Sequence, residues 1–336
     1  MKVSTPRWWY VRRGAPAPVI RALLRPVSWV WAAVTARRIA SGKAFDPGIP
    51  VICVGNLTVG GSGKTPVVRT LARRLGGAEA GVQILTRGYG GRLKGPVLVV
   101  PGLRSAAEVG DEALMMTKDA PVWMARDRAA GAHAIAAASS KLIVMDDGHQ
   151  NPSVKKSLAL VVVDGETRDG EWPFGDGAVF PAGPMREPLA AGLARADAVV
   201  LLLPADLAAP DPALLTLFGD KTVLVAHLTA PPPPPGPQLA FAGIGKPWKM
   251  ERALKAAGCD LADFAPFPDH ASYDERLLRF LADRATTLGA GLLTSEKDWV
   301  KLPAAWQTRV KAWPVEAKFD DEVALDALLA PLKPAS

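Results

Sequence analysis

Val51-Ile-Cys-Val-Gly-Asn-Leu-Thr-Val-Gly-Gly-Ser-Gly-Lys-Thr65 reads as an apolar strand, a glycine-rich loop and the first turn of a helix. Gly60, Gly61 and Gly63 let backbone amides turn towards an anion, and the helix N-terminus adds its positive end. Lys64 can then reach the β- and γ-phosphates of ATP, while the Thr65 hydroxyl takes Mg2+. Thr58, Val59, Gly60, Gly61, Ser62, Gly63, Lys64 and Thr65 are therefore the expected nucleotide loop. The motif usually has glycine where this chain has Thr58. The three later glycines and Gly55 keep the reading.

Outward from this loop, short apolar runs alternate with helical stretches. Strands are expected over 51–54, 82–86, 97–100, 122–125, 142–145, 158–163 and 199–203, with helices over 65–75, 106–118 and 128–139. Such alternation implies an α/β fold, a P-loop NTPase-like, doubly wound and mostly parallel sheet. Ligands then bind beyond the carboxyl ends of the strands. Pro231–Pro235, followed by Gly236 and Pro237, form a stiff spacer that cannot join a sheet interior. After it, strands over 239–242, 291–294 and near 310–315, and helices over 249–257 and 274–287, predict a second, smaller α/β domain. The expected organisation is an arm over 1–45, a kinase domain over 46–230, a linker over 231–237 and the smaller domain over 238–336.

Leu142-Ile-Val-Met-Asp146-Asp147 is an apolar strand ending in two carboxylates, where a P-loop fold places its magnesium-binding acid. Asp-Gly is also ordinary turn chemistry, so the pair gains meaning from the phosphate loop. Transfer to an alcohol needs a proton acceptor. Asp111 is a candidate, although it reads equally as a helix N-cap. His270 sits in a polar turn of the second domain. Arg87 and Tyr89, in Arg-Gly-Tyr-Gly-Gly91, follow a strand and should face the ligand edge. Arg126 and Arg128 follow another and are suited to a substrate phosphate, or simply to solvent. Thr294-Ser-Glu-Lys-Asp298 reads as a docking loop or as a helix cap.

The 336 residues carry a net charge of +7, and its location matters more than its size. Residues 1–45 hold nine basic residues and no acid, which leaves the rest of the chain at −2. Excess basicity confined to one arm argues against a nucleic-acid groove in the fold. Four of the ten tryptophans, Trp8, Trp9, Trp29 and Trp31, fall in the same arm. Val19, Ile20, Leu23, Val27, Val30, Trp31 and Val34 share one helical face. Pro26 should separate two short helices or kink one. The apolar run over 26–36 is too short for a span of roughly 20 residues. The arm is expected to lie on an anionic leaflet as an amphipathic helix, or else to pack on the body. Cys53, in an apolar strand, is expected in the core, and two cysteines without metal spacing fit a reducing compartment.

Taken together, VGNLTVGGSGKTP (54–66), LTRGYGG (85–91), VGDEALMM (109–116), MDDGHQNP (145–152), VFPAGPMREP (179–188), FPDHASY (267–273) and LTSEKDWVKLP (293–303) resemble the tetraacyldisaccharide 4′-kinases, the lipid A 4′-kinases of Gram-negative bacteria. The resemblance implies ATP- and Mg2+-dependent phosphorylation of the 4′-hydroxyl of a tetraacyl glucosamine disaccharide 1-phosphate. It implies a peripheral enzyme on the cytoplasmic face of the inner membrane, with a glycolipid and an anionic surface as partners, no nucleic acid and no obligate protein partner. By motif, Lys64 and Thr65 hold phosphate and metal, and Asp146, Asp147, Gln150 and Glu187 join the metal and nucleotide cluster. Asp111 matches the general base and His270 its partner; Arg87, Tyr89 and Arg126 are expected towards the substrate from their positions after strands. Base and histidine on different domains imply a site assembled by closure. His149 departs from the family, which usually has an aromatic there. A soluble P-loop kinase or ligase for a small metabolite, and a nucleotide-switched membrane-binding ATPase, are the rival readings.

Overall fold

The computed structural model describes residues 6–12 and 18–333. Lys2 and Arg13, counted in the basic arm, lie outside the described residues. The strands are β1 (Val51–Gly55), β2 (Val82–Thr86), β3 (Val97–Val99), β4 (Val122–Met124), β5 (Leu142–Asp146), β6 (Leu158–Asp164), β7 (Ala198–Pro204), β8 (Thr222–Thr229), β9 (Gln238–Ala242), β10 (Leu261–Pro266), β11 (Gly291–Ser295), β12 (Val310–Trp313) and β13 (Glu316–Phe319). Helices are α1 (Pro18–Ser41), α2 (Lys64–Arg74), α3 (Ala106–Val109), α4 (Asp111–Met116), α5 (Arg128–Ala137), α6 (Leu189–Ala194), α7 (Pro212–Leu215), α8 (Pro247–Ala256), α9 (Glu275–Thr287), α10 (Glu296–Trp299), α11 (Ala304–Gln307) and α12 (Glu322–Leu329).

The large sheet runs β13-β8-β7-β6-β1-β5-β2-β4-β3, parallel except where β13 and β3 pair antiparallel at its two edges. Strand β1 lies between β5 and β6 and is buried on both faces. Burial on both sides is what a continuous apolar run such as Val51–Val54 requires. Ile52, Val54 and Val144 meet Val67, Val68 and Leu71 of α2 and Met116 of α4 on one face. On the other, Val51, Cys53, Ile143 and Met145 meet Ala132 and Ile135 of α5. Burial pushes the Cys53 thiol up to about 11, so it behaves as a core residue.

The small sheet, β10-β9-β11-β12, is wholly parallel. The stretch expected to belong entirely to the smaller domain does not stay there. Glu316–Phe319 return to pair with β8, and Leu325 and Leu329 of α12 join the core of the large sheet. The helix expected over 106–118 is broken at Gly110 (φ 93°, ψ 147°), a conformation that favours glycine.

The arm also differs from expectation. One helix, α1, continues through Pro26 for 24 residues, so the arm is not two short helices. Pro26 is exposed, so solvent reaches the carbonyl whose helical donor it removes. By length and composition α1 could cross a bilayer, which the run over 26–36 alone could not. One side of it is docked on the body. Ser28 Oγ accepts from Ala182 N at 3.1 Å, Trp31 Nε1 donates to Arg186 O at 3.1 Å, and Arg21 pairs with Asp176. The opposite side exposes Val19, Ile20, Leu23, Val27, Val30 and Val34, each more than half open to solvent.

Candidate active site

The phosphate loop leaves the carboxyl end of β1 and ends in α2, whose first residue is Lys64. Gly63 has φ 78°, and a Cβ there would collide with Leu202. Thr58 needs no glycine because it sits in an extended bridge with Met185, and its carbonyl accepts from Asn56 Nδ2 (2.8 Å) and Arg186 Nε (2.9 Å). The arm touches the loop directly, since Tyr10 Oη donates to Val59 O at 2.8 Å. From the small unit, Gly245 packs against Gly61.

Beside the loop, β5 delivers Asp146 and Asp147. Asp146 is buried, takes a 3.0 Å hydrogen bond from Thr86 Oγ1 through one oxygen, and has no partner on the other. Burial, with the charges of Glu112 and Asp147 behind it, pushes its carboxyl up to about 6. Asp147 pairs with Arg186 at 2.7 Å and with Lys64 at 3.6 Å. Burial would raise its carboxyl, but Lys64 and Arg186 hold it well below the usual carboxylate range. Gln150 donates to Asn56 O and to Glu187 Oε1, and it accepts from Arg186 at 3.2 Å. Both oxygens of Glu187 are 2.7 Å from Arg195, so Glu187 reaches the cluster only through Gln150. Glu187 and Arg195 also line an otherwise apolar groove of about 390 Å³ between α1 and α6.

Asp111 is the first residue of α4, not its cap, which is Gly110. One of its oxygens accepts from Glu112 N, and the other is 2.9 Å from His270 Nδ1. A carboxylate only accepts, so Nδ1 carries the proton and donates. Burial would raise Asp111, but the His270 hydrogen bond and the charge of Lys297 keep it below its ordinary value. His270 comes from the small unit and stacks near Tyr89, with ring centres 5.0 Å apart. Further ion pairs cross the same interface. Lys297 meets Glu112 at 3.1 Å, Glu296 meets Arg69 at 2.5 Å, and Lys246 and Lys249 meet Asp164 at 2.8 and 2.7 Å.

Arg87 and Tyr89 are exposed at the carboxyl end of β2. Arg126 is exposed as well and donates to Gly91 O at 2.8 Å, which ties it to the same loop. Arg128 is a correction: it is buried and donates to Ala125 O and Asp146 O, so it supports the acid-bearing turn. His149 is buried with Nε2 2.9 Å from Gly192 O, and burial pulls it down to about 4, so it fills volume as a neutral ring. Sequence reading missed Arg186 and Arg69. Arg186 stood next to a residue that was singled out, but no spacing rule marks it. The two alternatives for the stretch 294–298 both hold: Ser295 caps α10, and Glu296 and Lys297 dock on the large unit.

The family model described as LpxK, tetraacyldisaccharide-1-P 4′-kinase, matches residues 20–333. The chain belongs to this family. A tetraacyldisaccharide 4′-kinase of Phenylobacterium zucineum is 67% identical over 333 residues, covering 99% of this chain and 100% of that one. Its counterpart in Caulobacter vibrioides is 63% identical, with 98% of each chain covered. The crystal structure of LpxK from Aquifex aeolicus in complex with ATP is 26% identical and covers 94% of this chain and 99% of that one, with a TM-score of 0.73. The tetraacyldisaccharide 4′-kinase family thus spans both sheets and the described part of α1 from Ile20 onward.

Proposed function

We propose that this chain transfers the γ-phosphate of ATP to the 4′-hydroxyl of a tetraacyl disaccharide 1-phosphate at a membrane surface. Family membership supports the activity, and one observation carries the chemistry: the Asp111–His270 pair, 2.9 Å apart, is built from both units beside the phosphate loop. In this reading the loop from Thr58 to Thr65 cradles the triphosphate, and Lys64 meets charge on the transferring group. Asp111 accepts the proton of the sugar hydroxyl as its oxygen bonds phosphorus. The bond from phosphorus to the ADP oxygen breaks, and ADP leaves with the electron pair. His270 donates to Asp111 and fixes its orientation.

Mg2+ fits the residues present. Asp146 offers a buried carboxylate oxygen with no other partner, and Thr65 follows Lys64 in the first turn of α2. Among the described residues no cluster of three acidic, histidine or cysteine side chains forms a cage. That suits an ion held by one or two carboxylates and substrate phosphates. When bound, the ion would neutralise charge on the transferring phosphate. Asp147 is better read as the anchor of Lys64 and Arg186, and Gln150 and Glu187 as support behind the metal. Arg87, Tyr89 and Arg126 face the side from which the sugar would approach. The exposed apolar side of α1 would lie in the leaflet on the cytoplasmic face of the inner membrane, which brings the acyl chains to the groove beside α6.

The test is direct. Purified protein is incubated with γ-labelled ATP, Mg2+ and a tetraacyl disaccharide 1-phosphate in mixed micelles. Label should move to the lipid, and an isomer blocked at the 4′-hydroxyl should take none. ATP turnover without labelled lipid would reject the reading.

A further inference from the structure

Asp298 is the most completely buried acid in the small unit, with no exposed surface, and no step above uses it. Three hydrogen-bond donors and one ammonium meet its carboxylate. Oδ2 accepts from Gly243 N at 3.0 Å and from Ser295 Oγ at 2.6 Å. Oδ1 accepts from Tyr273 Oη at 2.8 Å and lies 2.6 Å from Lys301 Nζ. Gly243 and Tyr273 come from the loops after β9 and β10, Ser295 ends β11, and Lys301 follows α10, so the cluster joins the ends of three neighbouring strands of the small sheet. A buried charge is tolerated only when it is paired and fully hydrogen-bonded, and this one is.

His270 hangs from that hub. Its backbone N donates to Gly243 O at 3.1 Å, while Gly243 N is the group held by Asp298. Tyr273, three residues further on, is fixed to the other carboxylate oxygen. His270 itself has φ 57°, a left-handed conformation that a side chain of this kind keeps only under outside constraint. Packing leaves little slack: a Cβ on Gly243 would stand 2.8 Å from Tyr273 Oη and 3.1 Å from Asp298 Oδ1.

We infer that Asp298 is a positioning residue for the phosphotransfer, acting through Gly243 and Tyr273 to hold the His270 loop against Asp111. The inference rests on the reading of Asp111 and His270 given above. Asp298→Asn puts an amide donor where three donors and the Lys301 ammonium converge, and Tyr273→Phe removes one donor while keeping the ring. A loop carrying a catalytic partner and displaced by about 1 Å costs up to about 100-fold in rate. Asp298→Asn should therefore lower kcat by about 10- to 100-fold, with KM for ATP changed less than about threefold, and Tyr273→Phe by a smaller factor in the same direction.

Two measurements decide it. In a His270→Ala background, adding either substitution should change kcat less than about twofold, because the group they position is gone. Hydrogen exchange in residues 267–273 should speed up about tenfold or more in both variants, with residues 51–75 unchanged. Full additional losses in the His270→Ala background, or unchanged exchange across 267–273, would overturn the inference. Exchange is read without turnover, so it answers even where a variant is inactive. If His270→Ala alone leaves kcat intact while the exchange result holds, the positioning stands and the assignment of His270 fails.

Discussion

Asp111→Asn isolates the proton acceptor from everything else that Asp111 does. The side chain is buried, and its two oxygens take one hydrogen bond each, from Glu112 N and His270 Nδ1. Asparagine keeps the shape and one accepting oxygen, so one of the two bonds is lost. That costs about 1–3 kcal/mol of stability, the range for a neutral to a charge-assisted bond. Loss of a general base costs about 10²–10⁴ in rate, or about 3–5 kcal/mol at 1.36 kcal/mol per decade. The kinetic loss should thus exceed the structural one and should fall on kcat. Binding of a non-hydrolysable ATP analogue, measured by calorimetry, should stay within about threefold of the parent, since α2 and its loop leave β1 rather than α4. The assay is label transfer to lipid at saturating ATP, with thermal unfolding as the control. A variant that phosphorylates lipid at a near-parental rate would remove Asp111 from the chemistry, and one that loses analogue binding in proportion to kcat would show a collapsed site rather than a missing base.

Other expectations follow from the same geometry. Lys64→Ala should weaken analogue binding about tenfold and slow transfer by at least about 100-fold, checked by the same calorimetry and label assay. The fold should hold, because Asp147 keeps Arg186 at 2.7 Å. Leu23→Glu with Val27→Glu, both on the exposed side of α1, should lower binding to anionic vesicles about tenfold or more in flotation, with unfolding unchanged. Glu296→Gln should cost about 2–3 kcal/mol in chemical denaturation, because Arg69 keeps Asp119 at 2.5 Å but loses its second buried partner. Burial would raise Glu296, but Lys118 and Arg69 hold it below its ordinary 4.5. Its contribution is therefore complete above that value and is lost as pH falls through the lower folded one. The gap between parent and variant should stay flat from about pH 5.5 to 8 and narrow only in acid.

The strands flanking the phosphate loop were legible because each is an apolar run between glycine or proline breaks, and burial on both faces demands that pattern. The acids ending β5 were legible for the same reason: polarity starts where the strand leaves the core. Strand β8 was missed although Val223–Ala226 is an apolar run, and β10 because it is only half buried along its length. Return of β13 to the large sheet leaves no local mark, since its four residues read alike in either unit. Proline made α1 look broken, and only the exposure of Pro26 explains why it is not. At the site, the phosphate loop and Asp111 announced themselves by residue type and spacing. Arg186 and Arg69 did not, because a charge reveals its partner only once the chain brings distant residues together: Arg69 meets Glu296 227 positions away, and Arg186 meets Asp147 39 positions away.

The return of β13 has a mechanical consequence. The smaller sheet is an insertion, joined to the larger one by two crossings, the proline run near 231–237 and the short link between Trp313 and Glu316. Trp313 Nε1 donates to Pro231 O at 3.0 Å, so the two crossings are stitched to each other. A body held by a pair of adjacent straps swings like a door on its jamb instead of wandering like a ball on a string. Any opening that admits nucleotide must pivot there, and trimming the polypeptide before Glu316 would strip the kinase sheet of its border while leaving the door nearly whole.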